Sequence, residues 1–348
     1  MRSLAAVQLR RGCEPPRFGL WGGAMPRLPR LTLLLATLLL APSSAKVGQM
    51  PIPRQNVHIT LHAVPLSNEL SKLRQTGRLI YLGGWIMKSD QPDFGGWSAM
   101  QRTPQGLRLL SDAGAMLNMP LPQGEAVTGS IAELSRGCGS HWNKEMQDSE
   151  SMTRDPATGS VWVGLERFNR ICRIDADGRV RDVRRREMAT WEIAYGAESM
   201  VRLRDGRFLV IAESDPVDSR KAAPVLVFDG DPVLPESRSY EARLARPPGY
   251  LPVDAAELPD GRLMVLYRLF SVRQWFKSRL MIVDLDRLGP GKLLAGKEVA
   301  RLESPLITDN FEALAVEQQK RRTIIWLASD DNFWPLQQSY LLKFSLKD

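Results

Sequence analysis

Residues Gly196-Ala197-Glu198-Ser199-Met200-Val201-Arg202-Leu203 run into Asp205-Gly206-Arg207, continue as Phe208-Leu209-Val210-Ile211 and close on Ala212-Glu213-Ser214. Two apolar runs separated by Asp-Gly predict a β-hairpin, because aspartate and glycine tolerate the positive φ of a tight turn. Leu258, Asp260-Gly261-Arg262 and Leu263-Met264-Val265-Leu266 repeat the pattern. Glu198 opens the first strand and Glu213 closes the second, so antiparallel pairing brings both carboxylates to one end of the hairpin.

The acidic opening and its charged answer recur at a spacing of roughly fifty residues, the mark of a repeated architecture. Asp148-Ser149-Glu150-Ser151-Met152 is answered by Leu165-Glu166-Arg167, and Asn310-Phe311-Glu312-Ala313-Leu314 by Ser329-Asp330-Asp331. Two weaker copies are Phe94-Gly95-Gly96-Trp97-Ser98 with Ser111-Asp112, and Pro252-Val253-Asp254-Ala255-Ala256 with Tyr267-Arg268. A second hairpin, Arg170 to Ile174, Asp175-Ala176-Asp177-Gly178 and Arg179-Val180, supplies a third and fourth strand. The expectation is an all-β fold, a β-propeller of four-stranded blades. Mature length divided by the repeat predicts about six blades, with residues 50–75 completing the blade that the carboxyl terminus begins.

In a propeller the first strand of every blade lines the channel, so Glu150, Glu198 and Glu312 converge near the axis, with Asp254 one position out of register. Crowded carboxylates raise one another's pKa values, and a hard cation or an arginine is the usual compensation. Oxygen-only ligands point to Ca²⁺ before Zn²⁺. The alternative is that these acids bond backbone amides of neighbouring blades and only hold the ring together.

The chain has 348 residues, 43 % apolar and 25 % charged, which is the composition of a folded protein with a large core. Its first 45 residues read differently. Met25-Pro26-Arg27-Leu28-Pro29-Arg30 is basic, Leu31 to Ala41 is uninterruptedly apolar, and Ser43-Ser44-Ala45 is small at the positions a signal peptidase reads. Residues 1–45 are therefore expected to be a cleaved signal peptide, with Met25 a second candidate start, and 46–348 the propeller domain. The apolar run is short for a stable membrane span, and the mature protein is expected to be periplasmic or secreted and monomeric. Removing the leader takes away six arginines and one glutamate, so the formal charge falls from +8 to +3. No basic run interleaved with aromatics is present, which argues against a nucleic-acid partner. Cys138 and Cys172 remain; a bridge suits an oxidising compartment, while Cys172 also alternates with Ile171 and Ile174 as an ordinary strand residue would.

Other chemistries lack their signatures. Gly96-Trp97-Ser98-Ala99-Met100 misses the last glycine of a nucleophile elbow. His58, His62 and His141 are the only histidines, and no phosphate-binding or dinucleotide glycine loop occurs.

Over roughly residues 75 to 346 the chain resembles the phytase-like family of exported proteins, described as having an esterase-like activity of phytase. The resemblance rests on Phe94-Gly95-Gly96 with Ser111-Asp112, the Glu150, Glu198 and Glu312 phrases, Leu258 to Arg262 followed by Arg268, and Ser329-Asp330-Asp331-Asn332-Phe333 with Gln337 or Gln338. A more distant similarity reaches the calcium-dependent β-propeller phytases, whose glutamates at the start of the channel strands hold catalytic calcium; their aspartate-rich phosphate motifs do not occur here. The hydrolase reading puts Ca²⁺ on Glu150, Glu198, Glu213, Glu312 and Asp330, of which the Glu-type positions are those the resemblance carries over. Glu150 and Glu198 would also orient the attacking water, and Arg167, Arg170 or Arg268 would clamp a small phosphate ester at the channel mouth. A non-catalytic propeller that binds another ligand or a protein partner there is the competing expectation.

Overall fold

The computed structural model describes residues 54–134, 137–138, 148–167, 169–189, 191, 196–213, 222–273 and 275–347. Apart from a 3-10 turn at Arg186–Met188, their regular structure is β. Strands β1 (Gln55–Ala63), β2 (Gln75–Thr76) and β3 (Leu79–Lys88) come first. A first meander follows, β4 (Trp97–Thr103), β5 (Gly106–Ser111), β6 (Ala115–Met119) and β7 (Ala126–Glu133), then a second, β8 (Ser149–Arg154), β9 (Val161–Leu165), β10 (Arg170–Ile174) and β11 (Val180–Arg184). The third is β12 (Ala197–Arg202), β13 (Phe208–Ala212), β14 (Ala222–Phe228) and β15 (Ser239–Ala245). The fourth is β16 (Leu251–Glu257), β17 (Leu263–Ser271) and β18 (Trp275–Val283), then β19 (Leu293–Leu294), which adds to the edge of β15, and β20 (Gly296–Leu302), which completes the fourth sheet. The last unit is β21 (Asn310–Gln319), β22 (Arg322–Asp330) and β23 (Tyr340–Leu346), with β3 as its outermost strand.

The first strands of the units pack in sequence, β4 on β8, β8 on β12, β12 on β16, β16 on β21, and β21 back on β4. The ring is closed, and the fold is all-β and propeller-like. Among the described residues it has five such units, so the expected six is not met. The amino-terminal strands account for the difference. They form no unit of their own: β3 finishes the last sheet, and β1 pairs antiparallel with both β3 and β7, fusing the first and last units along their outer edges. Early and late strands of the described residues do share a sheet: Leu79–Lys88 is the one that pairs with β23, and Gln55–Ala63 joins beyond it.

The apolar runs are continuous because each sheet is buried on both faces. In β13, Phe208, Val210 and Ala212 enter a core shared with the second unit, while Leu209 and Ile211 enter one shared with the fourth. In β22, Ile324, Trp326 and Ala328 face the first unit, and Ile325 and Leu327 face the fourth. A one-residue slip in either strand would exchange these two faces. Each fully buried Val, Leu, Ile or Phe contributes about 1.5–3 kcal/mol, so the cores between units supply much of what holds the ring closed.

Cys138 and Cys172 are joined in a disulfide with a Cα–Cα separation of 5.4 Å, although Cys172 is also a residue of β10. His58 and His62 are exposed on β1. The leader expected at residues 1–45, the alternative start Met25 and His141 lie outside the described residues. No helix among the described residues is long and apolar enough to cross a membrane.

Candidate metal centre

Each first strand carries one extra residue near its start. Pairing with the second strand slips between Trp97 and Ala99, Ser149 and Ser151, Ala197 and Ser199, Pro252 and Asp254, and Phe311 and Ala313. The five bulged residues are therefore Ser98, Glu150, Glu198, Val253 and Glu312. A bulge leaves its residue unpaired and re-aims the side chain. The sequence expectation put Asp254 one position away from the glutamates, and the register explains why: the bulged residue of its unit is Val253.

The second strands end in an equally regular way. One residue past the last common pair stand Asp112, Glu166, Glu213, Arg268 and Asp330. With Asp148 beside Glu150, eight carboxylates gather at one end of the ring, accompanied by Arg167 and Arg268. Two groups of three approach closely. Oxygen atoms of Asp148, Glu150 and Glu166 lie within 4.8 Å of one another, as do those of Glu166, Glu198 and Glu213, so Glu166 belongs to both.

The electrostatics follow from this crowding. Burial, then the charges of Glu312, Glu166, Asp148 and Asp112, raises the Glu150 carboxyl well above its ordinary value. Glu198 is raised likewise by burial and by Glu213, Glu150, Glu166 and Glu312. Glu166 is pushed to about 7 by burial and Asp148, against a hydrogen bond from the Gly196 N–H. A Cβ on Gly196 would sit 2.3 Å from Asn169 Oδ1 and 2.8 Å from the Glu166 carbonyl oxygen, so only glycine lets the backbone come this close. Asn169 Oδ1 is itself buried without a hydrogen-bond partner.

Across the ring the carboxylates are compensated. Arg268 reaches Glu312 and donates to Asn310 Oδ1 at 2.7 Å and Glu213 Oε1 at 3.1 Å. Asn310 Nδ2 in turn donates to Glu312 Oε1 and Asp330 Oδ2, both at 3.0 Å. Burial raises Glu312 and Glu213 while Arg268 opposes the shift. Asp330, without such a partner, is pushed to about 8 by burial and Glu312.

Of the residues singled out from the sequence, Glu150, Glu198 and Glu213 fall within the two groups of three. Glu312 and Asp330 fall outside them, on the Arg268–Asn310 side. Arg167 donates to Asp148 Oδ2 at 2.9 Å, at the edge of the first group. Arg170 is held by Asp182 at 2.8 Å on the neighbouring strand. Asp254 is a staple between units: its carboxylate accepts from the Ala255 and Leu314 N–H groups, both at 2.7 Å. The expectation that acids bond neighbouring backbone thus describes Asp254. Asp148 and Glu166 were not among the expected ligands, although both phrases that contain them were visible. The Ser329–Phe333 motif is also a staple. Asp331 accepts from the Gly96 N–H at 3.0 Å, closing the last unit on the first, and Gln337 Nε2 donates to Asp309 Oδ1 at 3.1 Å.

No curated protein matches the chain in sequence. Among solved structures it is similar to a candidate gluconolactonase at 12 % identity and a TM-score of 0.44, over 82 % of this chain and 93 % of that one. It is also similar to virginiamycin B lyase from Staphylococcus aureus, at 11 % identity and a TM-score of 0.37, over 83 % and 99 %. The β-propeller domain of Cps50 (Swd1) from Myceliophteria thermophila matches at 11 % and 0.36, over 85 % and 100 %. Similarity of this degree transfers no chemistry. The family model described as phytase-like, esterase-like activity of phytase, matches residues 92–333. That span holds every carboxylate and arginine of the ring mouth and well over half of the sequence, and the chain belongs to the phytase-like family.

Proposed function

We propose that the chain is an exported, monomeric hydrolase of phosphoric mono- or diesters, working with Ca²⁺ at the mouth of its propeller channel. The observation that carries this reading is the sharing of Glu166 between two carboxylate groups of three. The donor set fits a hard cation: the ligand atoms are all oxygen, and burial and like charge push these carboxyls up when nothing neutralises them. Asp148, Glu150, Glu166, Glu198 and Glu213 would hold it. When bound, such a cation polarises a phosphoryl oxygen and acidifies a water.

The remaining roles belong to the chain. Arg268 is fixed by Asn310, Glu213 and Glu312; burial works against its charge, but the carboxylates of Glu312, Glu198 and Glu213 outweigh it and keep the guanidinium charged, so it can clamp a substrate oxygen. Arg167 offers a second clamp from the second unit. Glu150 and Glu198, once ionised, orient the attacking water. Asp330 keeps a proton at neutral pH and can pass it to the leaving oxygen.

A propeller that binds a ligand without turning it over is favoured by one observation: Val253 and Arg268 replace the acidic pair in the fourth unit, and Arg268 neutralises Glu213 and Glu312 from within. The two readings separate on p-nitrophenyl phosphate and bis(p-nitrophenyl) phosphate. The hydrolase reading expects turnover with Ca²⁺, abolished by chelator and by Glu198→Gln. Stabilisation by Ca²⁺ with no turnover of either ester would leave the binding propeller.

A further inference from the structure

We infer that the group carried by the substrate beyond its reacting end is aromatic or similarly flat and apolar, and that Phe270, Trp275, Phe333 and Trp334 receive it. This inference rests on the hydrolase reading above for the reacting end.

The four rings rise from the same mouth as the carboxylates. Arg268 and Phe270 are two residues apart on β17, so their side chains leave the same face of the strand, separated by roughly 7 Å of rise. Arg268 is bound to Glu213 and Glu312, which places Phe270 one step above the charged floor. Strands β17 and β18 stay paired beyond that point, Phe270 opposite Phe276 and Ser271 opposite Trp275. Phe270 lies 5.9 Å from Trp275 and 4.8 Å from Phe276, yet remains 53 % exposed. Trp275 then meets Trp334 at 5.9 Å, which links the hairpin to the loop leaving β22 after Asp330. Phe333 completes the arc on the other side: the position of a Cβ on Gly96 is 2.7 Å from its ring and 2.4 Å from Asp112 Oδ1.

The arc thus spans the fourth, last and first units, and the two close carboxylate groups occupy the second and third. A ligand anchored at the carboxylates would extend across the mouth onto the rings.

All four rings are exposed to solvent by a third to a half, and the backbone beneath two of them is unusual. Trp275 and Phe333 have φ of 59° and 49°, a region that bulky L-residues avoid, and Asn332 before Phe333 adopts 48°, which asparagine tolerates. The loop keeps that conformation through Asp331, which accepts from Gly96, Phe333 and Ser339, and through Gln337. The bonded lattice of the Ser329–Phe333 motif therefore presents two half-exposed aromatic residues beside the charged centre. The rings adjoin the carboxylate centre, Phe270 two residues beyond Arg268 and Phe333 three beyond Asp330, which favours a ligand anchored at that centre over a lipid surface.

The test uses the mature protein, Trp275→Ala, Trp334→Ala and Trp275→Tyr, each first checked for an unchanged melting curve in chelator. 1-Naphthol carries the ring without the phosphate and reads the rim with no cation present. Its calorimetric Kd is expected to weaken roughly tenfold in each alanine variant, the loss of one stacking pair, and to recover in Trp275→Tyr. With Ca²⁺, kcat/KM for 1-naphthyl phosphate should exceed that for glycerol phosphate, and the alanine variants should lower only the former, through KM. Equal naphthol binding in all four proteins would overturn the inference. Turnover without preference, untouched by the variants, would also overturn it while leaving the hydrolase standing. Naphthol binding that follows the rim, with neither ester hydrolysed, would uphold the rim and remove the hydrolase. Variants that lose only sedimentation with phosphatidylcholine vesicles would overturn it in favour of membrane docking.

Discussion

Glu166→Gln is the substitution that probes the centre most directly, because Glu166 is common to both carboxylate groups. The change keeps the volume and an acceptor for the Gly196 N–H but deletes the charge. Its advantage in chelator should shrink sharply when the cation is added. In the folded chain the carboxyl is pushed from 4.5 to about 7, which at pH 8 corresponds to a penalty on the order of 3 kcal/mol for carrying the charge. In chelator at pH 8 the variant should therefore melt above the parent. Adding Ca²⁺ at a hundred times its Kd should stabilise the parent by about 2.7 kcal/mol, or roughly 5–10 °C for a domain of this class. If losing the shared ligand weakens binding a hundredfold, the same Ca²⁺ gives the variant only about 0.4 kcal/mol, near 1 °C. Differential scanning calorimetry of both proteins, with chelator and with Ca²⁺, reads all four values. A parent curve indifferent to Ca²⁺, or a variant that gains as much as the parent, would refute the reasoning.

The pH dependence has a fixed sign. Glu150, Glu166, Glu198 and Asp330 are all raised in the folded state, two of them to about 7 and about 8, so their stabilising contribution is complete below the unfolded carboxyl range and is lost as pH rises through those values. Chelated protein should become less stable from pH 5 to pH 9 in urea titrations and Ca²⁺ should flatten the decline; stability that rises over that interval without cation would contradict the assignment. Asp254→Asn should behave differently, because it leaves one of two buried N–H groups unsatisfied: a loss of about 1–3 kcal/mol, equal with and without Ca²⁺, is expected in the same calorimetry, and a diminished Ca²⁺ response would return Asp254 to the centre.

Much of the architecture could be read from the chain because its driving force is local. Phe208-Leu209-Val210-Ile211 is apolar at every position, which only a strand buried on both faces requires, and Asp205-Gly206 fixes the turn before it. The number of units was less legible. Nothing in Gln55–Ala63 or Leu79–Lys88 says that these strands will seal edges already built by the first and last units rather than make a sheet of their own; that depends on where the ring closes, a property of all five units together.

The site divides along the same line. Residue spacing revealed that acids recur, but spacing cannot reveal a bulge, and the bulge decides which residue of each phrase turns to the mouth. Hence Glu150, Glu198 and Glu312 were visible as a set, Asp254 looked like a displaced member, and Glu166 looked like a mere answer to Glu150. The fourth unit then breaks the symmetry. With Val253 at its bulge and Arg268 where the others carry Asp or Glu, it supplies a cation that draws Glu312 and Glu213 toward itself. An acid in place of Arg268 would put a carboxylate at the end of every second strand, spreading like charge around the mouth and defining no single place for an ion. One internal arginine neutralises its own neighbourhood and, with Asp148 paired to Arg167 at the edge, leaves Glu150, Glu166 and Glu198 between the second and third units without an arginine partner among the described residues; the departure from the repeat, more than the repeat itself, gives the mouth a direction.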